Sequence, residues 1–372
     1  LFHQILPNIC NELDPGRLYW PSSPGHGIDQ SDDDQIYGKG DNHYWGVWHG
    51  GDEFEAFNDN VGRFMTEYGM QSFPDMRTIE TFTKKEDRRL GSDVMNAHQK
   101  ASLGTGNLLR YIEDHYRMNN SFDSVVGLSQ VMQAQAIRSA VEAHRRNMPL
   151  CMGTLYWQFN DCWPVISWSS IDHGGNWKAL HYLARRFFGP VLVSMRDLDE
   201  KVEVHIINDQ HQGHDAELNI QLFNFDGELL CKESSDVEIR PFSSNIVQTL
   251  DKYDLLSGRD TSELVLRVEL RSAGDLLSKS HLFFKRPKEL NIPFPDHGHD
   301  VKQVNDKYEI TIRSNSFLCQ LHLRSSKVRG VFSDNYFDML PNEIVVIEFD
   351  PYEGQHIDGS DIKIRTLYEM MN

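Results

Sequence analysis

The chain has 372 residues, more than one ordinary domain and enough to bury a large core. Its mean hydropathy of -0.52 and the lack of any apolar run of spanning length exclude a membrane-crossing helix. A net charge of -18 would be repelled by a phosphate backbone, which excludes nucleic acid as a partner.

The first residues, Leu1-Phe2-His3-Gln4-Ile5-Leu6-Pro7-Asn8-Ile9, open without methionine inside an amphipathic pattern. The chain is therefore expected to begin within an element and to be a piece of something longer. Residues 1–13 read as the end of a helix, stopped by Asp14-Pro15-Gly16. Leu18 to Pro24 reads as a short strand running into a loop that spans Gly25 to Gly40 and carries Asp32-Asp33-Asp34. An aromatic strand end follows at His43 to Gly51, then an apolar run, Val61, Phe64 and Met65, that stops at Glu67. From Thr78 to Tyr116 the pattern is helical, interrupted at Gly91 and Gly104–Gly106. Gly127 to Asn147 is the clearest helix, broken by Pro149. A strand at 150–159 ends in Asn160-Asp161-Cys162-Trp163-Pro164, and a helix from Trp177 to Phe188 stops at Gly189-Pro190.

Strands near 18–23, 43–48, 61–67 and 150–159 alternate with helices, as in βα units. A closed barrel needs eight strands, so residues 1–189 are predicted to be the second half of a (β/α)8 barrel, strands five to eight. An open four-stranded sheet is the alternative, but its first edge would lie uncovered. Beyond Pro190 the pattern changes to period two, as in Val202-Glu203-Val204-His205-Ile206 and Leu218-Asn219-Ile220-Gln221-Leu222, with Asp226-Gly227 as a hairpin signal. This predicts a β-sandwich over 190–287 and a second over 288–372. A proline-bearing linker joins them, and His297-Gly298-His299 is read as part of it. Each sandwich is expected to carry its own core and to fold independently.

Cys10, Cys151, Cys162, Cys231 and Cys319 form no CxxC, and the 17 histidines form no HExxH, so no metal site and no redox motif are expected. Buried thiols and one or two disulfides both remain open. The candidate chemistry lies instead at Glu67. The C-terminal tip of a buried parallel strand is where an α/β barrel keeps its catalytic groups, although a solvated loop glutamate would follow a strand just as well. Retaining hydrolysis of a glycoside needs two carboxyl groups about 5–5.5 Å apart. It also needs aromatic rings on which the apolar faces of a sugar stack. Tyr44, Trp45 and Trp48 precede Glu67, and Trp157, Phe159 and Trp163 follow it at predicted strand tips. Core packing is the alternative for each ring, but Trp45 and Trp157 have polar neighbours that a core would not accept unpaired (His43; Gln158, Asn160 and Asp161).

Arg63-Phe64-Met65-Thr66-Glu67-Tyr68-Gly69-Met70-Gln71-Ser72-Phe73-Pro74 closely resembles the nucleophile strand of the β-mannosidases, within the β-galactosidase-like glycoside hydrolases of family 2. Leu18–Pro24, His43–Gly51 and Tyr156–Pro164 resemble strand ends five, six and eight of the same enzymes, and Gly330–Asp338 resembles their last immunoglobulin-like domain. The likeness covers nearly the whole chain and implies two immunoglobulin-like sandwiches after the barrel. It makes Glu67 the nucleophile of a retaining exo-β-mannosidase that releases terminal β-linked mannose from oligosaccharides and glycoprotein glycans, with no metal or organic cofactor. By the same likeness Trp157 is a sugar platform, Tyr44 and Trp45 border the mannose subsite, and His43, Trp48 and Asn160 complete the expected substrate-binding set.

The family's acid/base glutamate belongs to an Asn-Glu pair ending strand four, and this chain starts after that point. Asn11-Glu12 is read as a helix end, not as that pair, so the chain as given is expected to be inactive alone. A β-galactosidase or β-glucuronidase relative is the nearest alternative, although Gln71-Ser72-Phe73-Pro74 and Trp157 to Asp161 favour mannose. A non-catalytic carbohydrate-binding protein is a further one. Resemblance to animal-type enzymes, with the sequon Asn119-Asn120-Ser121, places the expectation in the lysosome; secretion or a microbial cytoplasm are the alternatives.

Overall fold

A computed structural model describes residues 1–25, 38–119, 121–352 and 356–372; the predicted Asp32–Asp34 loop lies outside them. The N-terminal part is a small parallel array covered by helices. Strand β1 (Asn42–His43) pairs in parallel with β2 (Met65–Glu67), His43 standing opposite Glu67. Met65 also forms a parallel bridge with Thr154. The chain from Arg63 to Tyr68 is further tied to residues 152–157 by backbone hydrogen bonds, Met152 to Arg63, Leu155 to Met65 and Trp157 to Tyr68. Three parallel segments therefore lie side by side, with Met65 buried and Glu67 at the far end.

Three of the predicted strands look different, the first being 150–159, which forms no regular strand and is tied to 63–68 only by an isolated bridge at Thr154 and the backbone hydrogen bonds just named. Residues 18–23 join no ladder with the other described residues: Pro21 lacks the N–H a strand needs, and the segment is held instead by Trp20 Nε1 and Ser23 Oγ on the Asp41 carboxylate. The aromatic run after His43 is not extended, because Gly46 to Gly50 wind into a π-helical turn closed by Gly51 at φ 84°.

Helix α1 (Ile5–Leu13) has no buried residue, and Ile5, Ile9 and Leu13 are exposed. Helix α2 (Met76–Phe82) is capped by the Asp75 carboxylate and α3 (Asp93–Ala97) by Ser92. Gly104 begins α4 (Gly104–His115), so it starts a helix where an interruption was predicted. The longest helix, α5 (Phe122–Arg146), buries Leu128, Val131, Met132, Ile137, Ala140 and Val141, and ends where Pro149 forbids continuation. His144, Arg145 and Arg146 occupy its last turn, where cations oppose the free carbonyls. Helix α6 (Ala179–Phe187) packs against it.

The first sandwich is antiparallel. One sheet orders β3 (Val191–Asp197), β4 (Lys201–Asn208) and β7 (Ser243–Asp251); the other orders β6 (Leu229–Ile239), β5 (His214–Asn224), β8 (Leu264–Ser272) and β9 (Asp275–Leu282). Gly227, at φ 85°, turns the β5–β6 hairpin as its Asp-Gly signal predicts. A short α7 (Lys252–Leu256) follows β7.

In the second sandwich, β10 (His297–Val304), β11 (Lys307–Ser314), β15 (Ile344–Pro351) and β13 (Gly330–Phe332) form one sheet. The other face carries β14 (Phe337–Met339), β12 (Leu318–Ser325) and β16 (Ile362–Arg365), with α8 (Leu367–Met371) at the end. His297-Gly298-His299 is thus strand, not linker: Asn305, at φ 55°, turns a hairpin that sets His297 opposite Ser314.

The cores correct a further expectation. Buried side chains of the first sandwich, such as Val193, Val204, Leu222 and Leu266, form a cluster of their own. Those of the second sandwich, such as Leu321 and Phe349, are continuous with the core around α5. This sandwich shares its interior with the α/β part and does not stand alone. Within α5, Gly127 leaves room for Met370, whose Sδ would lie 2.6 Å from a Cβ placed there. All five cysteines are unpaired.

Candidate active site

Glu67 ends β2, and its carboxylate is 30% exposed. Two groups from the β1 segment address the same oxygen: Trp45 Nε1 donates to Glu67 Oε2 at 3.3 Å, and His43 Nδ1 lies 3.3 Å from it. Beneath Glu67 the backbone is pinned by buried polar contacts. Tyr68 Oη and His144 Nδ1 both meet Thr154 Oγ1, at 2.6 and 2.8 Å. Burial pulls His144 down to about 3, so the ring is neutral and serves as packing. Gln133 of α5 reaches further along the same segment. Its Nε2 donates to the carbonyls of Met70 at 2.8 Å and Trp168 at 3.0 Å, and its Oε1 accepts from Ser72 Oγ at 2.7 Å.

The predicted substrate-binding residues divide. Trp157 is 42% exposed and Asn160 is exposed, so both present side chains to solvent near the strand ends. Phe159 and Trp163 are exposed beside them. Trp45 is half-buried, edge-on to Trp168 at 6.1 Å, and its indole nitrogen serves Glu67. Trp48 does not belong to a sugar surface: the π-helical turn curls it inward, where it is 1% exposed, stacked near Tyr111 and edge-on to Trp168. Tyr44 is likewise buried, edge-on to Phe57, with its hydroxyl on Asp52 Oδ2 at 2.6 Å. His43 is not a free hydroxyl partner either, since Nδ1 faces Glu67 and Nε2 meets Ser23 Oγ at 3.1 Å. The sequon acceptor Asn119 donates its side-chain nitrogen to the Met370 carbonyl at 3.2 Å, turning it toward α8.

Sequence reasoning missed Trp168, Ser23 and Asp41. Trp168 is the ring on which Trp45 and Trp48 both rest. Asp41 collects four donors, from Ser23, Thr66, Trp20 and the Gly25 amide. Burial alone would raise its carboxyl, but these hydrogen bonds outweigh it and hold the group below its ordinary value. Asp161, just beyond the segment that runs beside β2, accepts from Ser167 Oγ at 2.6 Å and lies 3.6 Å from Lys100 Nζ. Among the described residues no group of three or more His, Cys, Asp or Glu side chains is placed to hold a metal ion.

Gly69 is where the aromatic wall closes. A Cβ there would lie 2.4 Å from the Trp157 carbonyl and 3.0 Å from both Trp168 Cδ1 and Trp45 Cη2. Backbone cannot yield as a flexible side chain can. Gly69→Ala is therefore expected to destabilise by about 1–3 kcal/mol, the usual cost of overpacking. Its thermal midpoint should fall and its tryptophan emission should shift; an unchanged midpoint would contradict the close approach.

Comparison with known proteins shows what the chain as a whole is similar to. A profile described as "Mannosidase Ig/CBM-like domain" matches residues 200–289, and one described as "Ig-fold domain" matches 293–370. β-Mannosidase B of Aspergillus niger is 26% identical over 94% of this chain and 43% of its own length. The β-mannosidase of Bos taurus is 31% identical over 74% of this chain and 34% of its own. A crystal structure of β-D-mannosidase from Dictyoglomus thermophilum superposes with a TM-score of 0.87 at 29% identity, over 98% of this chain and 44% of that one. The chain thus spans less than half the length of these relatives.

Proposed function

We propose that this chain, a homologue of the β-mannosidases, supplies the nucleophile side of a retaining glycoside hydrolase that removes terminal β-linked mannose. The observation that carries the reading is Glu67 at the end of a parallel strand. Its carboxylate is contacted by Trp45 and His43 and is partly open to solvent, and the exposed Trp157 lies on the neighbouring segment, its backbone bonded to Tyr68. In this reading the parallel segments and their helices are part of a (β/α)8 barrel, with chemistry gathered at the C-terminal strand ends. The relatives are more than twice as long as the region they share with this chain, which leaves room for the remaining strands and for the second carboxyl group.

The chemistry then follows from charge and position. A Glu67 oxygen attacks the anomeric carbon, and the glycosidic C–O bond breaks as the leaving oxygen takes a proton from the second carboxyl group. Water, deprotonated by that same group, attacks the resulting ester and releases Glu67 as carboxylate. Trp45 Nε1–H and His43 fix the attacking oxygen and cost little reorganisation, because strand backbone and buried packing hold them already. Trp157 offers a flat apolar surface to one sugar face, and Asn160 offers polar contact at its edge.

The test is a panel of aryl β-mannoside, β-galactoside and β-glucuronide with the full-length protein. The mannoside is expected to show the highest kcat/KM by a wide margin. A preference for galactoside or glucuronide would overturn the sugar assignment, and no turnover of any would overturn the enzyme.

A further inference from the structure

The chain that leads on from Glu67, residues 68–73, is buried throughout, yet among the described residues it joins no ladder beyond a bridge between Ser72 and Ser167. Side chains of α5 hold it instead. Ser129 gives its hydroxyl hydrogen to the Val126 carbonyl at 2.7 Å, so its oxygen accepts from the Phe73 amide, at 3.1 Å. Gln133 takes the Met70 carbonyl and the Ser72 hydroxyl. Gln130, only 4% exposed, donates Nε2 to the Phe73 carbonyl at 3.3 Å. Spaced three and four residues apart, Gln130 and Ser129 lie with Gln133 on one face of the helix. A carbonyl can only accept, so the Phe73 contact fixes which way round the Gln130 amide sits, and its Oε1 points elsewhere. It points at the second sandwich. Tyr336, between β13 and β14, places Oη 3.2 Å from Gln130 Oε1 and is the donor there.

We propose that Tyr336 is a positioning residue for Glu67: through Gln130, the second sandwich holds the buried segment behind the nucleophile. This rests on the reading of Glu67 as nucleophile. Tyr336 is itself held firmly. Its backbone stands at φ 53°, a left-handed conformation that a bulky side chain keeps only where its surroundings impose it. Those surroundings are visible. Asn335 Oδ1 accepts from the Tyr336 amide at 3.0 Å, and Arg186 Nη1 donates to its carbonyl at 3.0 Å. The ring stacks on His322, with centroids 5.0 Å apart. The hydroxyl is thus delivered to a fixed point on α5. Without it, Gln130 Oε1 is buried with no donor, and nothing keeps the amide aimed at Phe73. A sandwich that merely covered α5 would need only apolar side chains at this contact.

The test is Tyr336→Phe in the full-length protein, which keeps the ring and removes only the hydroxyl. Aryl β-mannoside kinetics and amide hydrogen exchange are the readouts. kcat should fall about tenfold with KM unchanged, short of the roughly 10²-fold that an ångström of misplacement costs. Exchange across residues 68–73 should quicken. Gln130→Met severs the same link from the α5 side and should give a similar loss, and the double variant should be no worse than either single one. Tyr308→Phe is the control, since it removes a buried hydroxyl of the same sandwich that serves the Ile357 amide at 3.2 Å. It should lower the thermal midpoint and leave kcat alone. Wild-type kcat in Tyr336→Phe would overturn the proposal, as would additive losses in the double variant or an equal kcat loss in Tyr308→Phe. Should Tyr336→Phe fail to fold, kcat and exchange in Gln130→Met decide it. Failure of the functional reading is distinguishable: the wild type would then turn over no aryl β-mannoside, while exchange at 68–73 would still report whether the link exists.

Discussion

Glu67→Gln in the full-length protein is expected to lower aryl β-mannoside turnover by at least about 10⁴-fold, the order that follows removal of a covalent nucleophile. The size of the loss follows from what an amide cannot do. Its oxygen still accepts from Trp45 Nε1, so the indole contact at 3.3 Å survives and the strand has no reason to move. It carries no negative charge, however, and forms no stable ester with an anomeric carbon. The fold should therefore be retained, with circular dichroism and thermal midpoint close to wild type while kcat collapses. A Glu67→Ala variant adds a sharper criterion. Truncation opens space on the face opposite the leaving group, where a small anion such as azide can attack. The product from a β-mannoside should then be the α-azide, because only one displacement has occurred. Near-normal turnover by Glu67→Gln, or a β-azide from the truncated variant, would remove Glu67 from the nucleophile's role.

That Glu67 ends a parallel strand was legible because the signal is local: an apolar run stops at a carboxylate. The two sandwiches were legible for a similar reason, since period-two alternation is written residue by residue. What failed depended on the third dimension. Trp48 belongs to the same aromatic run as Trp45, but three residues of a π-helical turn rotate it into the core against Tyr111. His43 looked like a sugar contact because nothing in its neighbours announces that Ser23 and Glu67 will occupy both ring nitrogens. The start of β10, His297-Gly298-His299, was read as linker because it follows a proline-bearing run and carries no apolar alternation; none of the strand's side chains is fully buried, and its identity comes from pairing with β11. The shared core of the second sandwich was likewise invisible, since apolar strand faces do not state which surface they cover.

The largest expected effect on stability lies away from the carboxylate, on the far side of α5. Glu142 is buried on that helix between two arginines one turn to either side. Its Oε1 accepts from Arg138 Nε at 2.6 Å, while Oε2 accepts from Ser194 Oγ at 2.6 Å and lies 3.7 Å from Arg146 Nη1. Arg138 continues to Ser280 Oγ at 2.8 Å and Arg146 to Asn58 Oδ1 at 2.6 Å. One carboxylate therefore ties α5 to strands β3 and β9 of the first sandwich. Burial raises the Glu142 carboxyl, but the two guanidinium groups and the hydrogen bonds from Arg138 and Ser194 outweigh it, so the group titrates below its ordinary value. Burial also lowers Arg146, to about 10, and it stays charged at neutral pH.

Glu142→Gln leaves both cations in place without their counter-charge, and breaking a buried pair in this way costs about 3–5 kcal/mol. Urea unfolding should show a loss of that size. Replacing Glu142 and Arg138 together by leucine and methionine removes one of the two stranded charges, leaving Arg146, and should recover part of the loss. The pH dependence gives an independent check. A carboxyl group whose folded value is depressed contributes fully above its unfolded range of about 4–5. It loses that contribution as pH falls through the lower folded value. The wild type should therefore weaken more steeply in acid than Glu142→Gln, and the two stabilities should converge there. Because α5 also carries Gln133 under Met70 and Trp168, loosening its seat on the sandwich should lower turnover as well. A loss below about 1 kcal/mol with an unchanged acid slope would mean that the carboxylate's desolvation had already cancelled its attraction to the two arginines.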